Sequence, residues 1–448
     1  MLTSMTRQRP LAHFIGIAGI GVSSLAQWFL AHGWAVSGWD RLQTPLVRRL
    51  KQKGIRVKIG TPGAPLPRGA ELVVYGQTFA RNSPQLTRAR AKGIPAFSYP
   101  EAVGKLTDAY TTIAVAGSHG KSTTTSIIAT MLARAGLDPT VIVGTTLKEF
   151  GGFNFRSGKG PYLVLEADEY KRAFLRYSPT LAAVTNIDRE HLDVYRNLRA
   201  VQRAFLKFLS RVRPNGAVVL NRDDHNLFSL RGSVRKLAAA RHIRVAWYSL
   251  RDSGARRIRK YIRIPGEYNV SNALAAFHIG RMLGVPEAKI LDAIRAYRGS
   301  ERRLEFRGTY QGAQVFDDYA HHPTEINVTL RALKEKFPRK KIVCVFQPHQ
   351  AERLYRLFRE FRSAFDPADE TLILPVYKPP GRREEKMRIT SEDLTKAIQK
   401  QQPSKPLFYL AHPENLKKAL GALGALRAKV VVMMGAGDIV HYTDSLIR

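Results

Sequence analysis

The sequence predicts an α/β protein of three domains, on three observations: a length of 448 residues, short β-branched runs alternating with helical patterns along the chain, and two glycine-rich loops. At about 150 residues per domain, the length suggests three. Alternating strand and helix periods are the pattern of parallel sheets joined by crossover helices. A glycine loop between strand and helix marks the first crossover of a nucleotide-type unit. With 44% hydrophobic and 24% charged residues, the chain can build cores, which excludes wholly disordered, collagen-like and disulfide-dense classes.

Taken in order, the first domain is expected over residues 1–108 and is Rossmann-like. A strand over 13–17, a helix over 23–32 and a strand over 35–39 make a βαβ opening, followed by strands at 72–75 and 93–98. Arg7 and Arg9 ahead of the apolar stretch 11–31 have the outline of a signal peptide. The glycines at 16, 19 and 21 argue instead for a strand turning into a helix. No other stretch is long and apolar enough to span a bilayer, so a soluble, cytoplasmic protein without membrane insertion is expected. Asp40 ends the next strand, and with Gly16, Gly19 and Gly21 it gives a weak dinucleotide-type fingerprint, suited to a pyrophosphate at a helix N-terminus.

The central domain, 109–298, is of P-loop ATPase type. It begins with a strand at 111–116 and has strands at 162–165, 181–185 and 217–220, with helices at 124–135, 198–209, 270–283 and 286–297. Ala116-Gly-Ser-His-Gly-Lys-Ser-Thr123 lies between the first strand and the first helix. Gly117, Ser118, His119 and Gly120 would bring backbone amides to phosphate oxygens, Lys121 would add charge, and Ser122 and Thr123 open the helix, with Ser122 able to ligate Mg²⁺. Glu166 and His191 follow two strands, where ligands bind in an open parallel sheet, and a carboxylate with an imidazole could hold one Mg²⁺ there. Asp168, Glu169, Asp188 and Glu190 are alternative ligands, or these acids cap helices.

The third domain, 299–448, is again a Rossmann-like α/β unit, with strands at 314–316, 341–346, 371–375 and 430–434 beyond a charged hinge at 298–302. Its 341–346 run holds the single cysteine, Cys344, which reads as a buried small hydrophobe. Lys plus Arg number 72 against 36 acids, a net charge of +36. The cations are spread through the chain, the pattern of a solvated surface, and nucleic acid is not an expected partner.

Beyond these readings the chain resembles the Mur ligases, the ATP-dependent amide-forming enzymes of peptidoglycan synthesis. The motifs that carry the resemblance cover nearly the whole chain: 13–23, Gly117 to Thr124, Glu166 to Glu169, Thr185-Asn-Ile187 with His191-Leu-Asp193, 268–276, Arg302-Arg303, 317–325 and Phe346-Gln-Pro-His349. The resemblance is strongest to the branch that adds L-alanine to UDP-N-acetylmuramate. It implies that the first domain holds the UDP-sugar through His13, Gly16, Ala18, Gly19, Ile20, Gly21 and Asp40. The second holds ATP and Mg²⁺, and the third holds L-alanine or another small amino acid. Lys121, Glu166, His191 and Arg303 would serve the transferring phosphoryl group, with Arg302 the alternative to Arg303. Asn269 and Asn272 would lie near the adenine. Tyr319, His321, His322, His349 and Arg353 would orient the acyl phosphate and the amino acid, with His321 the catalytic candidate among them. The implied assembly is a monomer or homodimer.

Gln350 stands where relatives commonly have arginine, which bears on amino-acid specificity. Arg302-Arg-Leu-Glu305 also resembles the recycling ligase that attaches a preformed tripeptide to the same sugar. Phe205 and Leu206 occupy the neighbourhood where several relatives carry a carbamylated lysine. Two readings from other classes are a nucleotide-regulated nucleic-acid-binding protein, prompted by the charge, and a dehydrogenase built on the first glycine loop.

Overall fold

A computed structural model describes residues 9–61, 65–77, 83–378 and 388–447; Arg7 lies outside them. Three sheets succeed one another along the chain. The first contains β1 (Leu11–Ile15), β2 (Ala35–Asp40), β3 (Arg56–Ile59), β4 (Ala70–Tyr75) and β5 (Ala96–Ser98), all parallel, in the order β3-β2-β1-β4-β5. The second contains β6 (Thr111–Ala116), β7 (Thr140–Leu147), β8 (Phe153–Arg156), β9 (Tyr162–Glu166), β10 (Leu181–Val184), β11 (Ala217–Asn221) and β12 (Arg244–Tyr248). Their order is β12-β11-β10-β6-β9-β7-β8, with β8 alone antiparallel. The third contains β13 (Glu305–Tyr310), β14 (Ala313–Asp318), β15 (Lys341–Phe346), β16 (Glu370–Ile373), β17 (Leu407–Tyr409) and β18 (Lys429–Met434), in the order β13-β14-β18-β15-β16-β17. By internal contact the chain forms two compact units. One is Met1–Glu190 with Asn197–Tyr261 and Asn272–Ala296; the other is His191–Arg196 with Ile262–Ser271 and Tyr297–Arg448.

Central strands appear where continuous apolar runs place them, because a parallel strand covered on both faces has no polar side to alternate. β6, β10 and β15 are buried along nearly their whole length. Cys344 is fully buried in β15, and burial pushes its thiol well above the ordinary value. Boundaries shift where turn chemistry intervenes. The helix after the first glycine loop starts at Ile20, because Gly19 already serves as its extended N-cap. The expected strand at 93–98 shrinks to three residues, since Gly93 takes φ +65° and Pro95 offers no N–H. No helix of the described residues is long and apolar enough to cross a membrane.

His13 lies inside the first sheet. It sits mid-strand in β1, is 3% exposed, and its Nδ1 meets Ser37 Oγ of β2 at 2.9 Å. Through Nδ1 the ring ties two strands together behind the loop. Burial, with Lys58 adding to it, lowers the ring's pKa to about 4. A histidine depressed below its unfolded value stabilises the fold above pH 6.5, and that contribution is lost as pH falls toward 4. The loss amounts to about 3 kcal/mol. A His13→Gln variant should therefore show a flatter acid limb than the parent in urea melts between pH 4 and 7.

Candidate active site

The second sheet changes winding direction at β6, and the glycine loop leaves its carboxyl end at that point. Gly117 has φ +141° and Gly120 φ +81°. A Cβ on Gly117 would collide with Thr185 Oγ1, and one on Gly120 with Asn272 Oδ1. Both glycines are thus required by conformation and by contact. The segment after β10 holds the loop: His119 N donates to Asn186 Oδ1 at 2.8 Å, Thr185 Oγ1 to His119 O at 2.5 Å, and Asp188 N to Ser118 Oγ at 2.8 Å. His119 Nε2 lies 3.1 Å from Asp188 Oδ2, so its ring fastens the loop. The helix Lys121–Arg134 starts with no side-chain cap and no acid in its first turn, which leaves its amides and dipole for an anion. A Gly117→Ala variant should bind ATP at least roughly tenfold more weakly with the fold intact, measured as nucleotide Kd by equilibrium dialysis.

Lys121 is the first residue of that helix. Its Nζ donates to Gly117 O (2.6 Å), Ser118 O (3.2 Å) and Glu169 Oε2 (3.0 Å). Burial disfavours the ammonium, but Glu169, Asp168 and Glu166 outweigh it and hold the pKa above its ordinary value. Ser122 Oγ donates to Glu166 Oε1 at 3.1 Å, and Gly144 N to Glu166 Oε2 at 2.7 Å. Two expected metal ligands therefore share one hydrogen bond, and a carboxylate with a hydroxyl is a hard-oxygen donor set that fits Mg²⁺. His191, the third, lies in the segment His191–Arg196 of the other unit, with φ +51° and its carbonyl accepting from Val194 and Tyr195. Asn269 and Asn272 lie one turn apart on the helix Glu267–Met282, both about 5% exposed.

At the first loop, Gly16 takes φ +79° and donates to Trp39 O, and Gly19 N donates to Gly16 O. Asp40 accepts from Ala18 N at 2.8 Å and from Arg41 N at 2.7 Å. It therefore shapes the loop from the end of β2. Gly21 lies too close to Tyr99 for any side chain, and Ile20 is 40% exposed. Asn154 of β8 binds Ile20 O, Ser23 Oγ and Ser24 Oγ, fixing this helix start against the second sheet.

In the second unit, Arg302 and Arg303 both face the Tyr319 ring, at 5.2 and 5.3 Å. Arg302 is committed elsewhere, to Asp317 Oδ1 (3.4 Å) and Gly435 O (2.5 Å). Arg303 has a looser ion pair with Glu325 at 3.8 Å and is 31% exposed. Rings continue from Tyr319 to His321 (5.4 Å), His349 (5.9 Å) and Tyr377 (5.5 Å, stacked). His321 Nδ1 lies 2.9 Å from Tyr319 O. His322 is instead the N-cap of the helix Pro323–Lys336 and is buried. Arg353 is 9% exposed and donates to His349 O at 3.2 Å, so it positions that histidine.

Comparison with known proteins agrees with this layout. The Mur ligase family catalytic domain matches residues 11–111, the Mur ligase middle domain 115–280, and the Mur ligase glutamate ligase domain 302–437. UDP-N-acetylmuramate--L-alanine ligase of Persephonella marina is 36% identical over 97% of this chain and 95% of its own. The chain belongs to the Mur ligase family. A relative of the same name from Desulfotalea psychrophila is 37% identical over 99% of both chains. The crystal structure of UDP-N-acetylmuramate-alanine ligase MurC from Thermotoga maritima superposes with a TM-score of 0.77 at 25% identity, covering 97% of this chain and 98% of that one.

In this Mur ligase the structure also brings in residues that the sequence does not single out. Glu325 accepts from His321 N at 3.2 Å. Gln347 Nε2 donates to Asp438 Oδ1 at 2.7 Å, and Gly437 is pressed against Tyr377. The glycines of 435–437, just beyond a predicted strand, were the available signal.

Proposed function

We propose that this Mur ligase joins L-alanine to the carboxylate of UDP-N-acetylmuramate in the cytoplasm, with ATP hydrolysed to ADP and phosphate. The observation that carries the reading is the Lys121 loop beside the Ser122–Glu166 pair, in a chain whose curated relatives match end to end under that name. The three sheets support a division of labour over residues 1–108, 109–298 and 299–448 for UDP-sugar, ATP and amino acid. The muramoyl carboxylate attacks the γ-phosphorus, ADP departs, and an acyl phosphate forms. The amine then attacks the acyl carbon, loses a proton, and phosphate leaves. Lys121, the loop amides and Arg303 offset charge on the transferring group. Ser122 and Glu166 would hold Mg²⁺, which supplies Lewis-acid polarisation of phosphoryl oxygens. His321, His349 and Tyr377 form the ring-lined wall on which the amino acid is placed.

Phosphate release from ATP, Mg²⁺ and UDP-N-acetylmuramate tests the proposal, with L-alanine, glycine, L-serine or the tripeptide L-Ala-γ-D-Glu-diaminopimelate as acceptor. Release with L-alanine is expected. Release with the tripeptide alone would make this a recycling ligase.

A further inference from the structure

One groove outside the site just described is set apart by its charge. It has a volume of about 930 Å³ and lies among the helix Tyr99–Ala109, the 3-10 segment Tyr170–Arg176 and the helix Leu198–Leu209. Six of its 13 lining residues are cations, Lys105, Lys171, Arg172, Arg176, Lys207 and Arg211, against 72 in 448 for the whole chain. General basicity does not account for that density. Only two acids line the groove, Glu101 and Asp108, so six cations against two carboxylates leave a charge of +4. Both acids are engaged: Glu101 caps its own helix through Ser98 N and Oγ and lies 3.6 Å from Arg176 of the lining, and Asp108 lies 3.7 Å from Arg213, outside it. None of the lining residues belongs to either glycine loop or holds Lys121 or Glu166.

The backbone adds an independent observation. Lys171 and Arg172 are consecutive and both left-handed, at φ +47° and +60°. Glycine would relieve that strain, yet the chain places two exposed cations there. Strain of this kind persists where the position is put to use. Like charges gathered on a concave wall focus their field on whatever enters, and lysine with arginine suits phosphate oxygens. A nucleic-acid strand would need an open aromatic face for its bases. The aromatic residue lining the groove is Phe97, and Lys105 Nζ lies over its ring at 4.9 Å.

We propose that this groove is a second anion site, for a compact ligand carrying several phosphate charges. Tripolyphosphate is the probe, titrated calorimetrically into the full chain at physiological salt with UDP-N-acetylmuramate saturating the first glycine loop, in a Lys121→Met/Glu169→Gln background that disables the nucleotide loop without the buried charge imbalance. One equivalent should bind, and Lys207→Glu/Arg211→Glu should weaken it by roughly tenfold or more. Lys417→Glu/Lys418→Glu, the same charge change on the exposed helix Leu416–Ala422, should leave it unchanged. Arg172→Gly guards against a folding artefact: it relaxes the backbone, so the Tm should hold or rise while probe binding falls. Equal weakening by both double reversals would reduce the effect to a diffuse field and overturn the site, as would the absence of binding at millimolar probe. Binding of single-stranded RNA that tripolyphosphate does not displace would make the groove a nucleic-acid surface and overturn it too.

Discussion

Replacing Lys121 with methionine is expected to lower ATP turnover on the order of 10³-fold, because it removes the one side-chain ammonium fixed at the start of the phosphate-binding helix. The site makes the experiment interpretable only with a control. Lys121 is 13% exposed and its partner Glu169 1%, so losing the ammonium removes a cation from beside a buried carboxylate. Breaking such a pair costs about 3–5 kcal/mol, and a dead enzyme could simply be a melted one. Adding Glu169→Gln neutralises that carboxylate without changing its shape. The double variant should recover most of the Tm lost by the single one, while turnover stays at the single variant's level. UDP-sugar binding should survive in both, since the first glycine loop is organised by Asp40 and Trp39, not by Lys121. Recovered turnover in the double variant would remove Lys121 from the chemistry and leave it a structural role.

Much of this arrangement was legible in the sequence, but several strands, β7 (Thr140–Leu147) among them, and most of the long-range contacts were not. β6, the helix Leu198–Leu209 and β15 fall where the sequence predicts them. Each is specified by its own composition: an unbroken apolar run, or a stripe at helical spacing. β3 and β17 escaped because they are short edge strands, with two of four residues exposed in β3 and one buried residue of three in β17. The glycine loops announced themselves through residue types that only a tight turn requires. Their partners did not, because those contacts are distant in sequence. Lys121 meets Glu169 across 48 residues, Gly144 meets Glu166 across 22, and Gln347 meets Asp438 across 91. Nothing local to Gly144 or Tyr377 marks either as part of a site. Tyr377 acquires its place from Gly437 and His349, and burial, with Asp438 and Tyr319 beside it, raises its hydroxyl's pKa.

The neighbouring arginines separate structure from catalysis more sharply than the sequence could. Arg302→Ala should destabilise the second unit by about 3 kcal/mol, because Asp317 is fully buried and keeps only Arg307, at 3.4 Å. Arg303→Ala should cost little stability near pH 6 and lower kcat by roughly 10²-fold, since its ion pair is long and partly exposed. The pH dependence gives a second readout. Burial pushes Asp318 up to about 7, and Arg303 is the first of the groups that restrain the rise. For an acid raised on folding, stability is greatest below its unfolded value near 3.8 and declines as pH climbs to the folded one. Without Arg303 that decline runs past 7, so variant and parent should melt together near pH 6 and diverge near pH 8, with the variant lower. If Arg302→Ala instead lost its kcat at an unchanged Tm, the catalytic assignment would pass to Arg302, and Arg303 would be left as the partner of Asp318.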